Sequence, residues 1–221
     1  MDVVISLGGS MVVPEKVNVD FLRKFADLVK NYAKKSRVVI ICGGGATART
    51  YQNAARELSC ATEDLDWIGT RATILNAELV RSLFGKSAYE KVVTNPTEKI
   101  KTKKHIIVGS GWKPGFSSDM DAVLIAENLK IKTLINLTNI DYVYDKDPKK
   151  FSNANPFKKM SWQQLQKLVG TSWTPGANVP FDPVATKRAT KAKLTLYIIK
   201  GEIENLKNIL EKKVWKGTII V

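Results

Sequence analysis

Short, continuous apolar runs alternate along this chain with segments in which apolar residues recur at helical spacing. The run Val38–Cys42 is apolar at every position and is stopped by three glycines, and an earlier run at residues 3–5 ends shortly before two glycines. Continuous apolar runs are typical of strands that are buried on both faces of a sheet. Between these runs, helical spacing predicts an amphipathic helix from Phe21, Phe25, Leu28, Val29 and Tyr32. The alternation predicts an α/β fold with an open, mainly parallel sheet sandwiched between helices.

The same pattern predicts the remaining elements. Further strands are expected at residues 91–94, 106–108, 132–137, 194–199 and 218–221. Further helices are expected at residues 46–58, 119–129, 162–169, 183–191 and 202–212. The longest helix is expected to be capped by Thr62 with Glu63 and Asp64, to reach about residue 83, and to be ended by Gly85. The polar, proline-containing stretch at residues 144–157 is the expected seam between two lobes.

Composition is that of an ordinary globular protein, but the positive charge needs an interpretation. Of 221 residues, 44% are hydrophobic and 25% charged, and the formal net charge is +14. The lysines are spread over predicted helix faces and loops without interleaved aromatic residues, which favours a solvated surface that attracts polyphosphates over a nucleic-acid site. No apolar run approaches the ~18 residues that span a membrane, and no signal peptide is expected. Cys42 and Cys60 fit packing residues in a reducing cytoplasm.

Glycines gather where three of the predicted strands end. They form the groups Gly8-Gly9, Gly43-Gly44-Gly45 and Gly109-Ser110-Gly111. In an open parallel sheet these strand ends share one edge, where ligands bind. Glycine lets backbone N–H groups approach an anion, and a following helix adds its positive end. Turn geometry explains any one loop equally well, but three together predict a phosphate site, although the P-loop, dinucleotide and protein-kinase fingerprints do not occur.

Four motifs follow one another along the chain: LGGS at residues 7–10, GGGATAR at 43–49, PGFSSD at 114–119 and TNIDYVYDKDP at 138–148. Their order and spacing resemble the amino acid kinase superfamily and, within it, the archaeal-type uridylate (UMP) kinases. The resemblance implies one domain over residues 1–221, with an acceptor-binding half of about residues 1–130 and an ATP-binding half of about 131–221. It implies transfer of the ATP γ-phosphoryl group to UMP, giving UDP and ADP in pyrimidine nucleotide synthesis. It also implies Mg²⁺ bound with ATP, and a homohexamer built from dimers.

The resemblance further assigns residues to the two substrates. Those matched to ATP contacts are Gly9, Ser10, Gly45, Arg49, Thr138, Asn139, Tyr144 and Asp147. Those matched to UMP contacts are Gly44, Asp66, Trp112, Lys113, Pro114, Gly115, Phe116, Ser117 and Ser118. Arg49 and Asp119 are the expected catalytic residues, and no protein metal ligand is expected because Mg²⁺ arrives with ATP. The chemistry agrees, since phosphoryl transfer needs mainly the positioning and charge neutralisation of anions.

Ser6 departs from the pattern of the superfamily. Many members carry a lysine there that serves as the transition-state cation, although archaeal UMP kinases often lack it. Candidate replacements are Lys113, Lys146 and Lys159. Asp119 either orients such a cation or caps the helix that it begins.

Two other polar residues also have a structural and a functional interpretation. Arg49 either binds phosphate as a bidentate fork or pairs with Glu57 on the surface, and its place after the glycine loop favours phosphate. Asp182 precedes a proline at a predicted helix start, so a capping role is favoured over a ligand role.

Rival functions stay open at this point. Isopentenyl phosphate kinases of the superfamily hold the acceptor phosphate with a histidine near the glycine loop, whereas the single histidine here, His105, enters a strand away from that loop. Acetylglutamate and carbamate kinases fit Asp66 and the PGFSSD motif less well. A non-catalytic nucleotide-binding regulatory protein would agree with Ser6, Trp112, Ser117 and Ser118. A nucleic-acid binder rests on net charge alone.

Overall fold

The computed structural model describes residues 1–172 and 179–221. The strands within these residues are β1 (Val3–Leu7), β2 (Val38–Cys42), β3 (Ile106–Gly109), β4 (Thr133–Thr138), β5 (Val143–Tyr144), β6 (Pro156–Phe157), β7 (Lys159–Met160), β8 (Thr195–Lys200) and β9 (Thr218–Ile220). The α-helices are α1 (Gly9–Val12), α2 (Val19–Tyr32), α3 (Gly45–Glu57), α4 (Thr62–Ser82), α5 (Ser118–Asn128), α6 (Trp162–Val169), α7 (Pro183–Ala192) and α8 (Ile203–Leu210). A 3₁₀ turn at Gly85–Ser87 follows α4.

Seven strands form one sheet in the order β3-β2-β1-β4-β8-β9-β7, and β5 and β6 pair as a separate hairpin. The first five strands of that order are parallel, β9 is antiparallel to β8, and β7 is parallel to β9. The chain passes from β1 to β2 on one side and later places β4 on the other side of β1. The carboxyl ends of β1 and β4 therefore flank a topological switch point, where ligands bind in sheets of this kind. The predicted fold class is confirmed.

Helices cover both faces of the sheet because successive strand residues point to opposite faces. Val3, Ile5 and Leu7 of β1 face a core that α1, α2, α4 and α8 complete. Val4 faces the second core, which contains residues of α5, α6 and α7. Ser6 shares the side of Val4 and is buried, so its hydroxyl lies beneath the start of α5.

The strand expected at residues 91–94 is wrong. Ala88 and Val93 each make an isolated parallel bridge to β3, with Ile106 and Gly109 respectively. The chain leaves the edge of the sheet between the two bridges, so its apolar residues contact β3 without a continuous ladder. An apolar pattern alone does not distinguish such a segment from a strand.

The prediction that α4 reaches about residue 83 is confirmed, but the predicted cap and the predicted role of Gly85 are wrong. The capping residue is Ala61, which is extended, and no side chain bonds this helix end. Thr62 lies inside the first turn of the helix. The acidic residues that follow it interact favourably with the positive end of the helix dipole. α4 ends at Ser82, and Gly85 instead begins the 3₁₀ turn, because the chain bends early enough to bury Phe84.

Four helices end on a non-glycine residue with positive φ, at Ser59, Lys130, Lys193 and Lys212. In each, the next N–H donates to the carbonyl five residues earlier; Ile131 N–H to Ala126 O, for example, is 2.9 Å. This is the Schellman arrangement, which usually uses glycine. The sequence carries no glycine signal at these ends, and the predicted helix ends differ from the observed ones by one or two residues.

The hydropathy of the helices and the state of the two cysteines complete the description. No helix within residues 1–172 and 179–221 is long and apolar enough to cross a membrane. Cys42 is buried and Cys60 is exposed, and both are free thiols. Burial raises the pKa of the Cys42 thiol, so this residue is an inert packing group.

Candidate functional site

Two glycine-rich turns interlock at the carboxyl ends of β1 and β2. We call them the glycine junction, which consists of Gly8, Gly9, Gly43, Gly44 and Gly45. The Gly8 N–H donates to the carbonyl of Leu137 in β4 at 3.0 Å, and the Gly43 N–H donates to the carbonyl of Leu7 in β1 at 3.0 Å. The junction is therefore fixed to both strands that flank the switch point.

The glycines of this junction are needed for packing. A Cβ at Gly43 would lie 2.6 Å from the Gly9 nitrogen, and one at Gly9 would overlap the Gly45 nitrogen. Gly45 also has a φ of +60°, in the left-handed region that favours glycine. Turn geometry and function are thus not alternatives here, since the close approach of the two turns creates the site.

Within the described residues, the N–H groups of Gly8, Gly43 and Ala46 donate to backbone carbonyls, which leaves those of Gly9, Gly44 and Gly45 for an anion. Gly45 begins α3, so first-turn N–H groups and the positive end of the helix dipole lie at the junction. The buried Asn76 of α4 donates its Nδ2 to the carbonyls of Gly43 at 2.8 Å and Gly44 at 2.9 Å. Because Asn76 takes up these carbonyl oxygens, amide groups dominate what a phosphate would meet.

Arg49 lies one turn into α3 with an exposed side chain. Its Nη2 donates to the carbonyl of Pro14 at 2.9 Å, and not to Glu57. The surface ion pair considered from the sequence is therefore not formed. Since a guanidinium has five N–H donors, the bond to Pro14 leaves others for a phosphate.

Asp119 connects three elements beside the junction. Its Oδ1 accepts from the Ser6 hydroxyl of β1 at 3.1 Å, and its Oδ2 accepts from the Asp182 N–H at the start of α7 at 3.2 Å. Ser117, not Asp119, caps α5, because the Ser117 Oγ accepts from the Met120 N–H at 3.1 Å. The capping interpretation of Asp119 is wrong.

The capping role predicted for Asp182 is confirmed. Its Oδ1 accepts from the N–H groups of Val184 at 2.6 Å and Ala185 at 2.7 Å, and Pro183 occupies the first helical position. Because its own N–H donates to Asp119, Asp182 fastens the start of α7 to the start of α5.

Two carboxyl groups in this region have strongly raised pKa values. Burial, and after it the Asp182 carboxylate, raises the pKa of Asp119 to about 7. Burial raises the pKa of Asp121 to about 7, while the hydrogen bond from the Trp112 N–H opposes this rise. Perturbed carboxyl groups cluster at functional sites.

Residues 112–118, the acceptor loop, follow β3 and form an aromatic wall. The rings of Trp112 and Phe116 meet edge to face with their centroids 5.0 Å apart. The Lys113 Nζ lies 4.1 Å from the Trp112 centroid and 5.1 Å from that of Phe116. Gly115, with a φ of +80°, turns the loop back on itself. A planar base and an anion are the ligands that such a loop suits.

α4 joins the acceptor loop to the glycine junction. The Thr73 Oγ1 accepts from the Gly111 N–H at 2.8 Å, and its methyl group would lie 3.7 Å from a Cβ at Gly44. Gly69, one turn earlier, borders the same glycine through its carbonyl oxygen. Asp66 precedes Gly69 by a further turn and is partly buried.

The other residues expected to contact ATP begin at the last residue of β4 and lie on the other side of the switch point. The Thr138 carbonyl accepts from the Gly201 N–H at 2.8 Å, which joins the ends of β4 and β8. Asn139 is exposed, and the Tyr144 ring meets the Tyr142 ring edge to face at 6.3 Å. This side is open and carries polar and aromatic groups.

Asp147 has a local partner. Its Oδ1 accepts from the Lys149 N–H at 2.9 Å, and its carbonyl accepts from the N–H groups of Lys150 and Phe151. These bonds build the turn within residues 144–157, the expected seam, whose two ends pair as β5 and β6.

The three candidate lysines lie in different places. Lys113 is part of the acceptor loop, and the Lys146 Nζ lies 5.6 Å from the Phe151 centroid in the β5–β6 connection. Lys159 is exposed in β7, at the far edge of the sheet. Four strand spacings separate β7 from β1, about 19 Å, so Lys159 is outside the site.

Comparison with known proteins agrees with this geometry. The model of the amino acid kinase family matches residues 1–200. The chain belongs to this family. It is similar to the uridylate kinase of Archaeoglobus fulgidus, with 36% identity over 223 residues and 100% of both chains covered. It is also similar to the uridylate kinase of Methanocaldococcus jannaschii, with 36% identity over 225 residues, 100% of this chain and 99% of the other.

Solved structures of uridylate kinases share the fold. The crystal structure of uridylate kinase from Archaeoglobus fulgidus superposes with a TM-score of 0.87 over 100% of both chains at 36% identity. UMP kinase from Ureaplasma parvum superposes with a TM-score of 0.79 over 100% of this chain and 98% of the other, at 20% identity. The resemblance drawn from the four motifs is confirmed at the level of family and fold.

Three buried or half-buried polar residues that bond to the glycine junction or to the root of the acceptor loop were missed from the sequence. Asn76 and Thr73 lie three residues apart in α4, where polar side chains interrupt an otherwise apolar helix face. Asp121 is a second acid in the first turns of α5, directly before a fully buried apolar run. Polar residues on an otherwise buried helix face were the available signal.

Proposed function

We propose that this amino acid kinase transfers the γ-phosphoryl group of ATP to UMP, giving ADP and UDP within pyrimidine nucleotide synthesis. The position of the glycine junction carries the proposal. The junction is bonded to β4 through Gly8 and Leu137, and Thr73 lies between it and the acceptor loop, which supports a place between the proposed donor half and the proposed acceptor half. The full-length similarity to chains named uridylate kinase supports UMP as the acceptor.

The substrates are proposed to keep the contacts that the motifs indicate. Gly9, Ser10, Gly45 and Arg49 would lie along the transferring phosphates, and Gly44 would meet the UMP phosphate. The further ATP contacts proposed are Thr138, Asn139, Tyr144 and Asp147. The further UMP contacts proposed are Asp66 for the ribose and the acceptor loop, Trp112, Lys113, Pro114, Gly115, Phe116, Ser117 and Ser118, for the base.

In the proposed reaction an oxygen of the UMP phosphate attacks the γ-phosphorus, and the bond to the β–γ bridging oxygen breaks, which releases ADP. The protein's task is to hold two anions in line and to neutralise charge on the group in transit. Junction N–H groups and Arg49 supply fixed positive charge. Asp119 would orient the second cation, and Lys113 is the candidate on the acceptor loop.

Mg²⁺ is proposed to bind with ATP. Within residues 1–172 and 179–221, no group of three or more His, Cys, Asp or Glu side chains is arranged to hold a metal. Asp119 already accepts hydrogen bonds on both oxygens. ATP phosphate oxygens are therefore the proposed ligands, in keeping with the preference of Mg²⁺ for phosphate and water. When bound, the ion neutralises charge on the β- and γ-phosphates.

The location of His105 argues against the isopentenyl phosphate alternative. Its Nδ1 lies 2.8 Å from the Ala33 carbonyl, and its own carbonyl accepts from Val38 at the amino end of β2. The glycine junction follows the opposite, carboxyl end of that strand. His105 therefore does not reach an acceptor phosphate at the junction.

An acceptor screen tests the proposal. ADP release would be measured with ATP and Mg²⁺ and, in turn, UMP, CMP, dUMP, isopentenyl phosphate and N-acetylglutamate. The expected result is fastest release with UMP. Faster release with isopentenyl phosphate would replace the acceptor, and nucleotide binding without ADP release would favour the non-catalytic alternative.

Self-association into a homohexamer of dimers is proposed as well, in the cytoplasm and without nucleic-acid or membrane partners. Large apolar side chains are exposed along α3 and α4: Tyr51 is 66% exposed, Leu58 77%, Leu75 63% and Trp67 38%. A second copy that covers this face would remove them from water. Sedimentation velocity of the wild type and of Leu75→Glu checks this, with dissociation expected for the variant.

A further inference from the structure

Asp121 is a buried carboxyl group that the proposed reaction does not use. It is 0% exposed in the first turns of α5. Its Oδ2 accepts from the Trp112 N–H at 3.1 Å. Among residues 1–172 and 179–221 its buried Oδ1 has no hydrogen-bond partner.

A carboxyl group at this position is costly. The next five residues of α5 are all buried and apolar, and Asp119 and Asp182 place two further carboxyl groups nearby. Burying such a group without full pairing costs several kcal/mol in general, and an apolar residue would pack there more cheaply. The bond to Trp112 is the interaction that an apolar residue does not replace.

This bond acts at a particular place in the chain. Trp112 is the first residue of the acceptor loop, and the preceding Gly111 N–H donates to the Thr73 hydroxyl. Two consecutive amide groups are therefore held by side chains of two different helices, α4 and α5. Beyond them the loop makes its own turn, in which the Phe116 N–H donates to the Lys113 carbonyl at 3.2 Å. Its far end is bonded to α5, where the Ser117 carbonyl accepts from the Asp121 N–H at 3.0 Å.

We propose that Asp121 is a positioning residue for the acceptor: by holding the Trp112 N–H it fixes the root of the acceptor loop and so sets the affinity for UMP. Asp121 does not touch the nucleotide. The kinetic part of this inference rests on the proposed function, whereas the structural part does not.

The protonation of Asp121 makes a specific replacement informative. Because its pKa is raised to about 7, much of the group is neutral near neutral pH. A neutral carboxyl and an amide have the same shape, so Asp121→Asn keeps an acceptor for the Trp112 N–H. Asp121→Leu and Asp121→Ala remove that acceptor. Leucine keeps the branched shape but is larger than aspartate, and alanine is smaller, so crowding does not explain an effect that both variants share.

Amide hydrogen exchange tests the structural part without a substrate. In the wild-type apoprotein, the Trp112 amide is expected to exchange at least about tenfold more slowly than the amide of the exposed Gly115, after correction for intrinsic rates. Equal protection would overturn the inference, whatever the variants do. Asp121→Asn is expected to keep this protection, and Asp121→Leu and Asp121→Ala to lose about tenfold.

Steady-state kinetics test the functional part. Asp121→Leu and Asp121→Ala are expected to raise KM for UMP about tenfold and to leave KM for ATP within twofold, and Asp121→Asn to restore wild-type KM for UMP. A general structural role would change both KM values together and would not be rescued by Asn; that outcome overturns the inference. If the wild type releases no ADP with UMP, the proposed function fails while the exchange result still decides the role of Asp121.

Discussion

The glycine junction and the acceptor loop lie at the same edge of the sheet, but they are held in different ways. The junction is backbone packed on backbone, with Gly9, Gly43 and Gly45 too close for any Cβ. The acceptor loop is fastened at its root by the side chains of Thr73 and Asp121, and its outer part carries an open glycine turn. The first region is rigid by sterics, and the second depends on a few hydrogen bonds.

This difference agrees with what phosphoryl transfer requires. Phosphate positioning tolerates little displacement, so donors on tightly packed backbone suit the transferring group. An acceptor has to enter and its product has to leave, which a loop with few anchors permits. Substitutions in the junction should therefore affect turnover, and substitutions in the loop, apart from that of the candidate cation Lys113, should affect acceptor affinity.

The largest effect is expected from Gly9→Ala. The added Cβ overlaps the Gly45 backbone, so the two turns separate. We expect kcat to fall at least about 1000-fold and the free energy of unfolding to fall by about 3 kcal/mol. ADP release and urea unfolding measure the two quantities.

Gly85→Ala is the matched control for this substitution. Gly85 has a φ of +51°, but nothing lies within 4 Å of an added Cβ. The cost should be about 1 kcal/mol of backbone strain with kcat unchanged. Equal kcat in Gly9→Ala and Gly85→Ala would show that the junction is not where transfer occurs.

Arg49→Ala sharpens the junction side of the comparison. Loss of the guanidinium should lower kcat about 100-fold, because its charge is proposed to act on the transferring group. Arg49→Lys should recover only part of the rate, since lysine lacks the planar fork. Arg56→Ala, on the same helix and bonded to Asn53, is the control and should leave kcat within twofold.

Lys113→Met addresses the loop side and the missing cation together. If Lys113 only contributes to the aromatic wall, KM for UMP should rise about tenfold with kcat within threefold. If it is the transition-state cation, kcat itself should fall about 100-fold. We expect kcat to fall, and Lys159→Met, at the far edge of the sheet, to change neither value.

Stability against pH gives a smaller effect at the root of the loop. The folded-state pKa of Asp121 is about 7, above the ~3.9 of an unfolded aspartate, so the folded state binds more protons between these values. Stability should therefore fall as pH rises through this window. Between pH 5 and pH 8 the wild type should lose about 2 kcal/mol relative to Asp121→Asn. Urea unfolding at both pH values tests this, and parallel profiles would contradict it.

The smallest effect is expected outside both regions. Lys193 ends α7 with a φ of +52°, and Lys193→Gly should raise the free energy of unfolding by about 0.5–1 kcal/mol. Lys191→Gly, inside the same helix, should lower it by about 1 kcal/mol. If the two substitutions change the free energy of unfolding in opposite directions and leave kcat unchanged, the carboxyl end of α7 contributes to stability and not to turnover.

Much of the fold and of the candidate site was predictable from local pattern. The continuous apolar runs gave the parallel strands, and their alternation with helices gave the layers. The glycine groups after β1 and β2 were correctly placed at one edge, because parallel strands carry their carboxyl ends to the same side. The prediction of a strand at residues 91–94 was wrong, because an apolar stretch that contacts an edge strand has the same sequence pattern as a strand.

The residues that sequence reasoning missed share a physical cause. Asn76 and Thr73 bond to residues 43 and 111 only because α4 crosses beside the junction, and Asp121 bonds to Trp112 only because the chain returns over α5 there. These partners are 9 to 38 residues apart in sequence. No local periodicity encodes such pairings.

The sequence by itself determined the family, most of the parallel strands and the presence of glycine-rich turns at the carboxyl ends of those strands. It could do so because the conformational freedom of glycine, the burial of strands and the spacing of motifs are local properties. The tertiary structure decided that the glycine turns interlock, that Asp119 bonds to Ser6 and does not cap its helix, and that Lys159 lies far from the site. Those outcomes depend on which helices and strands become neighbours, and contacts between residues far apart in the sequence determine which elements are neighbours.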